Sequence, residues 1–162
     1  PLDGLVMGTR CGTLDPATVF YLSRVGGYSI DEIDTMMNKQ SGLLAVSGVS
    51  SDSRDVCEGA DKGDENCEMA LEMFSYRVGQ LFAEMAASMG GVDTMAFTAG
   101  IGENSVELRQ LAWLGVEIDP ELNAVRSDDP RVISTPNSKI TCLVVPTNEE
   151  LMIALDVEAL LG

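Results

Sequence analysis

Apolar residues recur at steps of three and four in one long stretch, Leu71, Phe74, Val78, Leu81, Phe82, Met85 and Met89. That spacing defines one face of a core helix over about residues 64 to 89, with the methionines as packing residues. At about 1.5–3 kcal/mol per large side chain, such a face supplies on the order of ten kcal/mol before chain entropy is counted. Upstream, "LDPATVFYLSRVGG" places Asp15 as N-cap, Pro16 at the first helical position and Gly26–Gly27 beyond the end, predicting a helix near 16 to 25. In "SIDEIDTMMNKQSG" Ser29 stands three residues before Glu32, a capping box, and Gly42 is expected to close that helix. "LLAVSG" is too short to assign, and "SGVSSDSRDVCEGADKGDEN" reads as a polar loop with one helical turn after Ser51.

The second half changes period. "VDTMAFTAG" reads as a buried strand and "SVELRQLAWLG" as a helix. "VEIDPELNAVRSDDPRVISTPNSK" reads as short extended pieces joined by turns, "ITCLVVPT" as a second buried strand and "NEELMIALDVEALL" as a helix. Strand, tight loop and helix thus occur twice, which favours an α/β sheet with covered faces. No internal repeat, low-complexity stretch or clear linker interrupts the chain.

Composition narrows the partners. The 162 residues suit one domain, and 45% apolar residues suffice for a core. Ten Lys and Arg against 26 Asp and Glu leave a formal charge of −16, which repels nucleic acid and anionic membranes. An anionic ligand must therefore be held by locally placed cations, backbone N–H groups or a metal. Cys11, Cys57, Cys67 and Cys142 form no C-x-x-C pair, there is no histidine, and no apolar run approaches about 18 residues. Reduced thiols in a cytoplasmic, soluble protein are the expectation.

Four segments carry candidate chemistry. In "FTAGIGENS" Gly100 and Gly102 follow the apolar strand, and Asn104 with Glu107 fits a helix cap. Such a corner, with positive φ at the glycines, admits a nucleotide close to the backbone; it also serves as a plain structural turn. "MGTRCGTLDP" sets Arg10 between Gly8 and Gly12, either a charged fork for phosphate or carboxylate or a surface arginine in a turn. In "SSDSRDV", Asp52 and Arg54 are placed to hydrogen-bond a sugar or base, or to cap a short helix. In "VVPTNEELMIA", Glu150 lies three residues after Thr147 and is expected to close a capping box onto the Thr147 N–H. Glu149, turned about 100° away, is left either as a magnesium ligand or as a solvated acid at the helix start.

Taken in order, "GLVMGTRCGTLDP", "SGVSSDSRDV", "FTAGIGENS" and "VVPTNEELMIALD" closely resemble the carboxy-terminal portion of acetate kinase, over nearly the whole chain. "MGTR-x-G-x-x-DP" with "GIGENS" is the signature of the acetokinase family, which includes propionate and butyrate kinases. The resemblance implies an α/β fold, a partial actin-like (ribonuclease H-like) ATPase domain, the C-terminal domain of a two-domain acetate/sugar kinase/actin-type architecture. It implies reversible, ATP-dependent phosphorylation of acetate to acetyl phosphate with Mg2+, and a homodimer. Arg10 matches the arginine that stabilises the transferring phosphoryl group and acetate. Asp52, Ser53 and Arg54 match the stretch beside the adenosine. Gly100, Ile101, Gly102, Glu103 and Asn104 match the loop under the nucleotide, and Glu149 the magnesium-associated acid.

The family's amino-terminal domain, with its phosphate loop, substrate-side arginine and histidine, would precede Pro1. On that ground residues 1–162 are expected to be the nucleotide-binding half of the enzyme, inactive alone, with a terminal helix at 148–161 that packs toward the first domain. A non-catalytic actin-like binding or scaffold domain, or a propionate or butyrate kinase, stands as the alternative.

Overall fold

Helices in this chain begin where a short polar side chain precedes the first apolar residue. The computed structural model describes residues 2–104 and 115–161, without the side chains of Asn104 and Glu149. Ahead of α1 (Ala17–Arg24) the Asp15 carboxylate accepts the Ala17 N–H at 2.8 Å. At the head of α2 (Ile30–Lys39) the expected capping box forms: Ser29 Oγ accepts the Glu32 N–H, and Glu32 accepts the Ser29 N–H. These bonds to Ser29 hold the Glu32 carboxyl below its ordinary pKa. Gly42 does not close α2, which ends at Lys39; it opens α3 (Gly42–Ser47), and the left-handed Gly48 terminates that helix. The unassigned "LLAVSG" segment is thus mostly helix.

The polar stretch after Ser51 holds more than one turn: α4 (Ser53–Asp61) is capped by the Asp52 side chain. Its composition hides an apolar edge, on which Val56 is fully buried. Next comes α5 (Glu65–Met89), where Asp64 accepts the N–H groups of Asn66 and Cys67. Its extent is as expected, but its apolar face is covered only in the first half. Leu71 and Phe74 are buried against α3 and α4, whereas Met85 and Met89 are exposed, as is Met69 on another face. The methionines are therefore not uniformly core residues. Periodicity tells which face is apolar, and tertiary packing decides how much of it is covered.

Two compact units divide the chain, Pro1–Gly91 and Val92–Gly162. In the first, Val6, Ile33, Leu43, Val56, Cys67, Ala70, Leu71 and Phe74 form the buried apolar set under a purely helical shell. The second is built on a three-stranded sheet. Strands β1 (Thr94–Phe97) and β3 (Thr141–Val144) run parallel, Thr94 opposite Thr141 and Phe97 opposite Val144, and β2 (Arg131–Val132) pairs antiparallel with β3. Met95, Cys142 and Val144 are buried, whereas Thr94, Ala96 and Thr141 are exposed, so the strands alternate and are not covered on both faces as expected.

Beyond β1 lies α6 (Ala99–Asn104), and beyond β3 lies α8 (Glu149–Leu161). Between these elements the expected extended pieces include one short helix, α7 (Pro120–Ala124), capped by Asp119, and an Ile118–Ser134 bridge. The helix expected for "SVELRQLAWLG" falls almost entirely on residues 105–114, outside the described ones. Every described side chain of α8 is exposed, including Leu151, Ile153, Leu160 and Leu161. Among the described residues no helix is long and apolar enough to cross a membrane.

The four cysteines are free thiols. Cys67 and Cys142 have no solvent exposure, and burial pushes the Cys142 thiol up to about 11. Cys67 is raised as well, by burial first and then by the neighbouring Asp64. Iodoacetamide at pH 8 is therefore expected to modify Cys11 and Cys57, both partly exposed, well before Cys67 and Cys142, read by peptide mass spectrometry. Modification of all four at one rate would contradict the buried placement of Cys67 and Cys142.

Candidate functional site

Backbone hydrogen bonds hold the Arg10 turn. Met7 N–H donates to the Arg10 carbonyl at 3.1 Å, closing the turn. Ser41, Leu43 and Leu44 donate to the carbonyls of Thr9, Met7 and Gly8 at 2.9, 3.0 and 2.9 Å, and Cys11 donates to Met37. The α2–α3 segment therefore grips the turn on both sides of Arg10, at Met7, Gly8 and Thr9 before it and at Cys11 after it. Two glycines make this approach possible. A Cβ on Gly42, whose φ is +66°, would stand 2.0 Å from the Met7 carbonyl oxygen, and one on Gly8 would stand 2.5 Å from that of Ser51. From this fixed turn the Arg10 side chain is exposed to solvent.

The Gly8–Ser51 approach brings the Arg10 turn against the stretch that carries Asp52, Ser53 and Arg54. Asp52 does what a helix cap does: its Oδ1 accepts the Arg54 N–H at 2.9 Å. The same carboxylate receives the Arg54 guanidinium in a fork, Nε at 3.0 Å from Oδ1 and Nη2 at 2.5 Å from Oδ2. The side-chain bond from Arg54, then its backbone N–H, hold the Asp52 carboxyl down at about 2. Ser53 is buried behind this pair, and Ser50 Oγ donates to Asp55 at 2.7 Å and accepts the Asp52 N–H. Capping and ion pairing thus account for the Asp52–Arg54 arrangement as it stands.

In the second unit the remaining candidates lie on α6 and α8, which follow the C-terminal ends of two adjacent parallel strands. Crevices at such strand ends are where α/β sheets receive ligands. The corner differs from the sequence expectation. Gly100 and Gly102 sit inside α6 without positive φ, and among the described residues Ala99 is the one non-glycine residue in the left-handed region, at φ +59°. The turn is therefore made one residue earlier, where a side chain must tolerate it at about 1–2 kcal/mol. Asn104 ends the described run of α6; the helix it was expected to cap, and Glu107, its expected partner, lie outside the described residues. The glycines differ in use. A Cβ on Gly102 would meet the Phe97 backbone at 3.3 Å, whereas one on Gly100 would meet nothing within 4 Å among the described residues. Ile101, between them, is half-buried.

The Thr147–Glu150 capping box does not form. Asn148 caps α8 instead, its Oδ1 accepting the Leu151 N–H at 2.9 Å, and the Thr147 N–H donates to Glu103 Oε1 at 2.9 Å. The Thr147 hydroxyl donates to the same oxygen at 3.0 Å. Glu150 is exposed. Singling out Glu149 because Glu150 is occupied therefore loses its basis, and the Glu149 side chain itself is outside the description. Asn148 was legible as a cap by residue type; the Glu103–Thr147 contact, between residues 44 apart, was not. One other concavity, on α2 and lined by Tyr28, Asp31, Glu32, Thr35, Met36 and Gln40, carries two acids and suits an anionic nucleotide poorly.

A model of the acetokinase family matches residues 1–155. Over 161 residues the chain is 50% identical to the acetate kinase of Methanosarcina acetivorans, an alignment covering 96% of this chain and 39% of that protein. The acetate kinase of Heliobacterium modesticaldum is 51% identical over 166 residues, covering 99% of this chain and 41% of the relative. The crystal structure of Porphyromonas gingivalis acetate kinase superposes with a TM-score of 0.88 at 40% identity, over 100% of this chain and 42% of that one. A propionate kinase from Francisella tularensis does so at 0.86 and 44%, over 95% of this chain and 40% of that one. The chain thus spans about two fifths of the length of the relatives it matches, and its fold is a partial α/β domain of the actin-like ATPase type. With the Arg10 turn, the glycine helix after β1 and the capped helix after β3 each falling on a matched segment, the chain belongs to the acetokinase family.

Proposed function

We propose that this chain is the carboxy-terminal, nucleotide-binding part of an acetate kinase, which transfers the γ-phosphoryl group of ATP to acetate and runs the reverse reaction with ADP and acetyl phosphate. The observation that carries this reading is the locked Arg10 turn: an exposed guanidinium on a backbone fixed by the α2–α3 junction. A carboxylate nucleophile is already ionised at neutral pH, so attack on the γ-phosphorus requires no base. A new O–P bond to acetate forms as the bond from the γ-phosphorus to the β,γ-bridging oxygen breaks, and ADP leaves with the electron pair. What such a transfer needs is positioning and charge neutralisation.

In this reading Arg10 meets the charge on the transferring phosphoryl group and the acetate carboxylate. Asp52, Ser53 and Arg54 line the adenosine side, where Arg54 exchanges part of its pairing with Asp52 for the nucleotide. Gly100, Ile101, Gly102 and Asn104 run beneath the nucleotide, on the short helix to which Glu103 also belongs. Among the described residues no group of three or more Asp, Glu, Cys or His is placed to hold a metal, and the chain contains no histidine. That donor set fits Mg2+ brought by the polyphosphate and completed by one carboxylate and water; the family resemblance alone assigns that carboxylate to Glu149. The chemistry Mg2+ would supply there is neutralisation of phosphate charge.

The exposed apolar helix α8 is assigned to the contact with the amino-terminal domain, and the assembly to a homodimer in the cytoplasm. Residues 1–162 by themselves are expected to give no acetyl phosphate above background in a hydroxamate assay with ATP, Mg2+ and acetate. The complete polypeptide is expected to turn over at about 1–1000 s−1. Activity of the isolated chain equal to that of the complete one would overturn the division of labour. The propionate kinase among the structural neighbours keeps a longer acyl substrate as the second reading; kcat/KM for acetate, propionate and butyrate decides between them.

A further inference from the structure

We propose that Glu103 is a positioning residue, a latch that ties the glycine helix α6 to the start of α8, rather than a group that contacts the nucleotide. A single oxygen, Oε1, accepts both the N–H and the hydroxyl of Thr147, at 2.9 and 3.0 Å. Thr147 directly precedes Asn148, the cap of α8, whose own side chain serves Leu151. A helix start leaves N–H groups without intrahelical partners, and the residue before the cap lies outside that helix's reach altogether. A capping box would settle the Thr147 N–H locally. In this chain a carboxylate from another helix does it instead.

The connection closes a ring. Strands β1 and β3 are parallel neighbours, Phe97 opposite Val144, with Val145 N–H donating to the Phe97 carbonyl at 2.9 Å. Six residues past Phe97 the chain reaches Glu103, and three past Val144 it reaches Thr147, where the side chain joins the two paths again. Strand pairing alone sets the two helices' roots. The latch sets the backbone at the head of α8, which bears Glu149, against the helix that bears Gly100 and Gly102. What the latch serves rests on the proposed kinase reading: it would hold the metal-associated helix start in register with the surface under the nucleotide.

The acceptor geometry makes the idea separable from a direct role. Because one oxygen takes both bonds, Glu103→Gln retains a carbonyl acceptor, whereas Glu103→Ala removes it. In the complete polypeptide, hydrogen exchange at the Thr147 amide is expected to accelerate about tenfold in Glu103→Ala and to change less than about threefold in Glu103→Gln. The half-saturating Mg2+ concentration for acetyl phosphate formation is expected to rise about tenfold in Glu103→Ala, with Glu103→Gln near wild type. Thr147→Val should shift it in the same direction and add little on top of Glu103→Ala, because both act through one contact. Unchanged Thr147 exchange in Glu103→Ala overturns the latch. So does a Glu103→Gln enzyme as impaired in its Mg2+ dependence as Glu103→Ala, since the carboxylate's charge would then act on the ligand directly. Should the unaltered polypeptide form no acyl phosphate, the kinase reading fails, and the exchange result alone decides the latch.

Discussion

Replacing Arg10 by alanine in the complete polypeptide is expected to lower kcat for acetyl phosphate formation by about a thousandfold or more, with KM for ATP changed by less than about threefold. The reasoning is electrostatic. Phosphoryl transfer spreads charge over the equatorial oxygens, and a guanidinium already in place stabilises that charge without reorganising, which a factor of a thousand equates to about 4 kcal/mol of barrier. The remainder of the chain works against the anion, since the formal charge is −16. One well-placed cation therefore carries an unusual share. Because backbone carbonyls and N–H groups close the turn, the far-UV circular dichroism of the variant should match that of the unaltered enzyme, which separates loss of catalysis from loss of fold. Arg10→Lys is expected to recover only part of the rate, as an ammonium cannot present a planar fork. A fully active Arg10→Ala enzyme would remove this residue from the mechanism and leave the binding or scaffold reading in its place.

Gly42→Ala is expected to destabilise the first unit by about 2–5 kcal/mol, seen as a lower urea midpoint of the chain. Two costs combine. The residue sits at φ +66°, where a Cβ costs about 1–2 kcal/mol. The same Cβ would meet the Met7 carbonyl oxygen at 2.0 Å and both the carbonyl carbon and oxygen of Gly8 at 2.9 Å, contacts relieved only by moving the turn. Gly48 provides the control, with φ +69° and nothing within 4 Å of an added Cβ. Gly48→Ala should show the conformational part alone, about 1 kcal/mol. Equal losses for the two variants would mean that the close approach of Gly42 to the Met7–Gly8 backbone contributes nothing. In the complete enzyme, Gly42→Ala should also lower kcat, since the displaced turn is the one that carries Arg10.

Where partners are close in sequence, the residues announced the structure. The three-and-four spacing from Leu71 onward marked α5 to within a residue or two, Ser29 and Glu32 marked the head of α2, and two apolar runs each followed by a helical segment marked β1 and β3 as strands of an α/β sheet. What escaped reading depends on distant contacts. Gly42 looked like a helix stop because glycines often are; its role is set by the carbonyl of Met7, 35 positions away, which no local pattern encodes. The Thr147 N–H looked destined for Glu150, and the competitor that takes it, Glu103, is 44 positions off. The α4 segment was hidden because a short helix with one buried edge needs few apolar residues, and Val56 alone marks it. Gly100 and Gly102 were legible as a place of close approach, yet the left-handed residue turned out to be Ala99, since glycine permits positive φ without requiring it. The motif resemblance identified the candidate site residues, and geometry then separated them by circumstance: Arg10 exposed on a gripped backbone, Asp52 and Arg54 paired with each other, Glu103 engaged with Thr147.

The grip on the Arg10 turn also ties chemistry to heat tolerance. Met7, Gly8, Thr9 and Cys11 borrow their fixed shape from two neighbouring helices and their junction, so the backbone that bears the guanidinium keeps its place only while those helices stay folded. Thermal inactivation and melting of this helical unit are then one event, and raising the enzyme's working temperature becomes a matter of reinforcing that junction rather than redesigning the reaction centre.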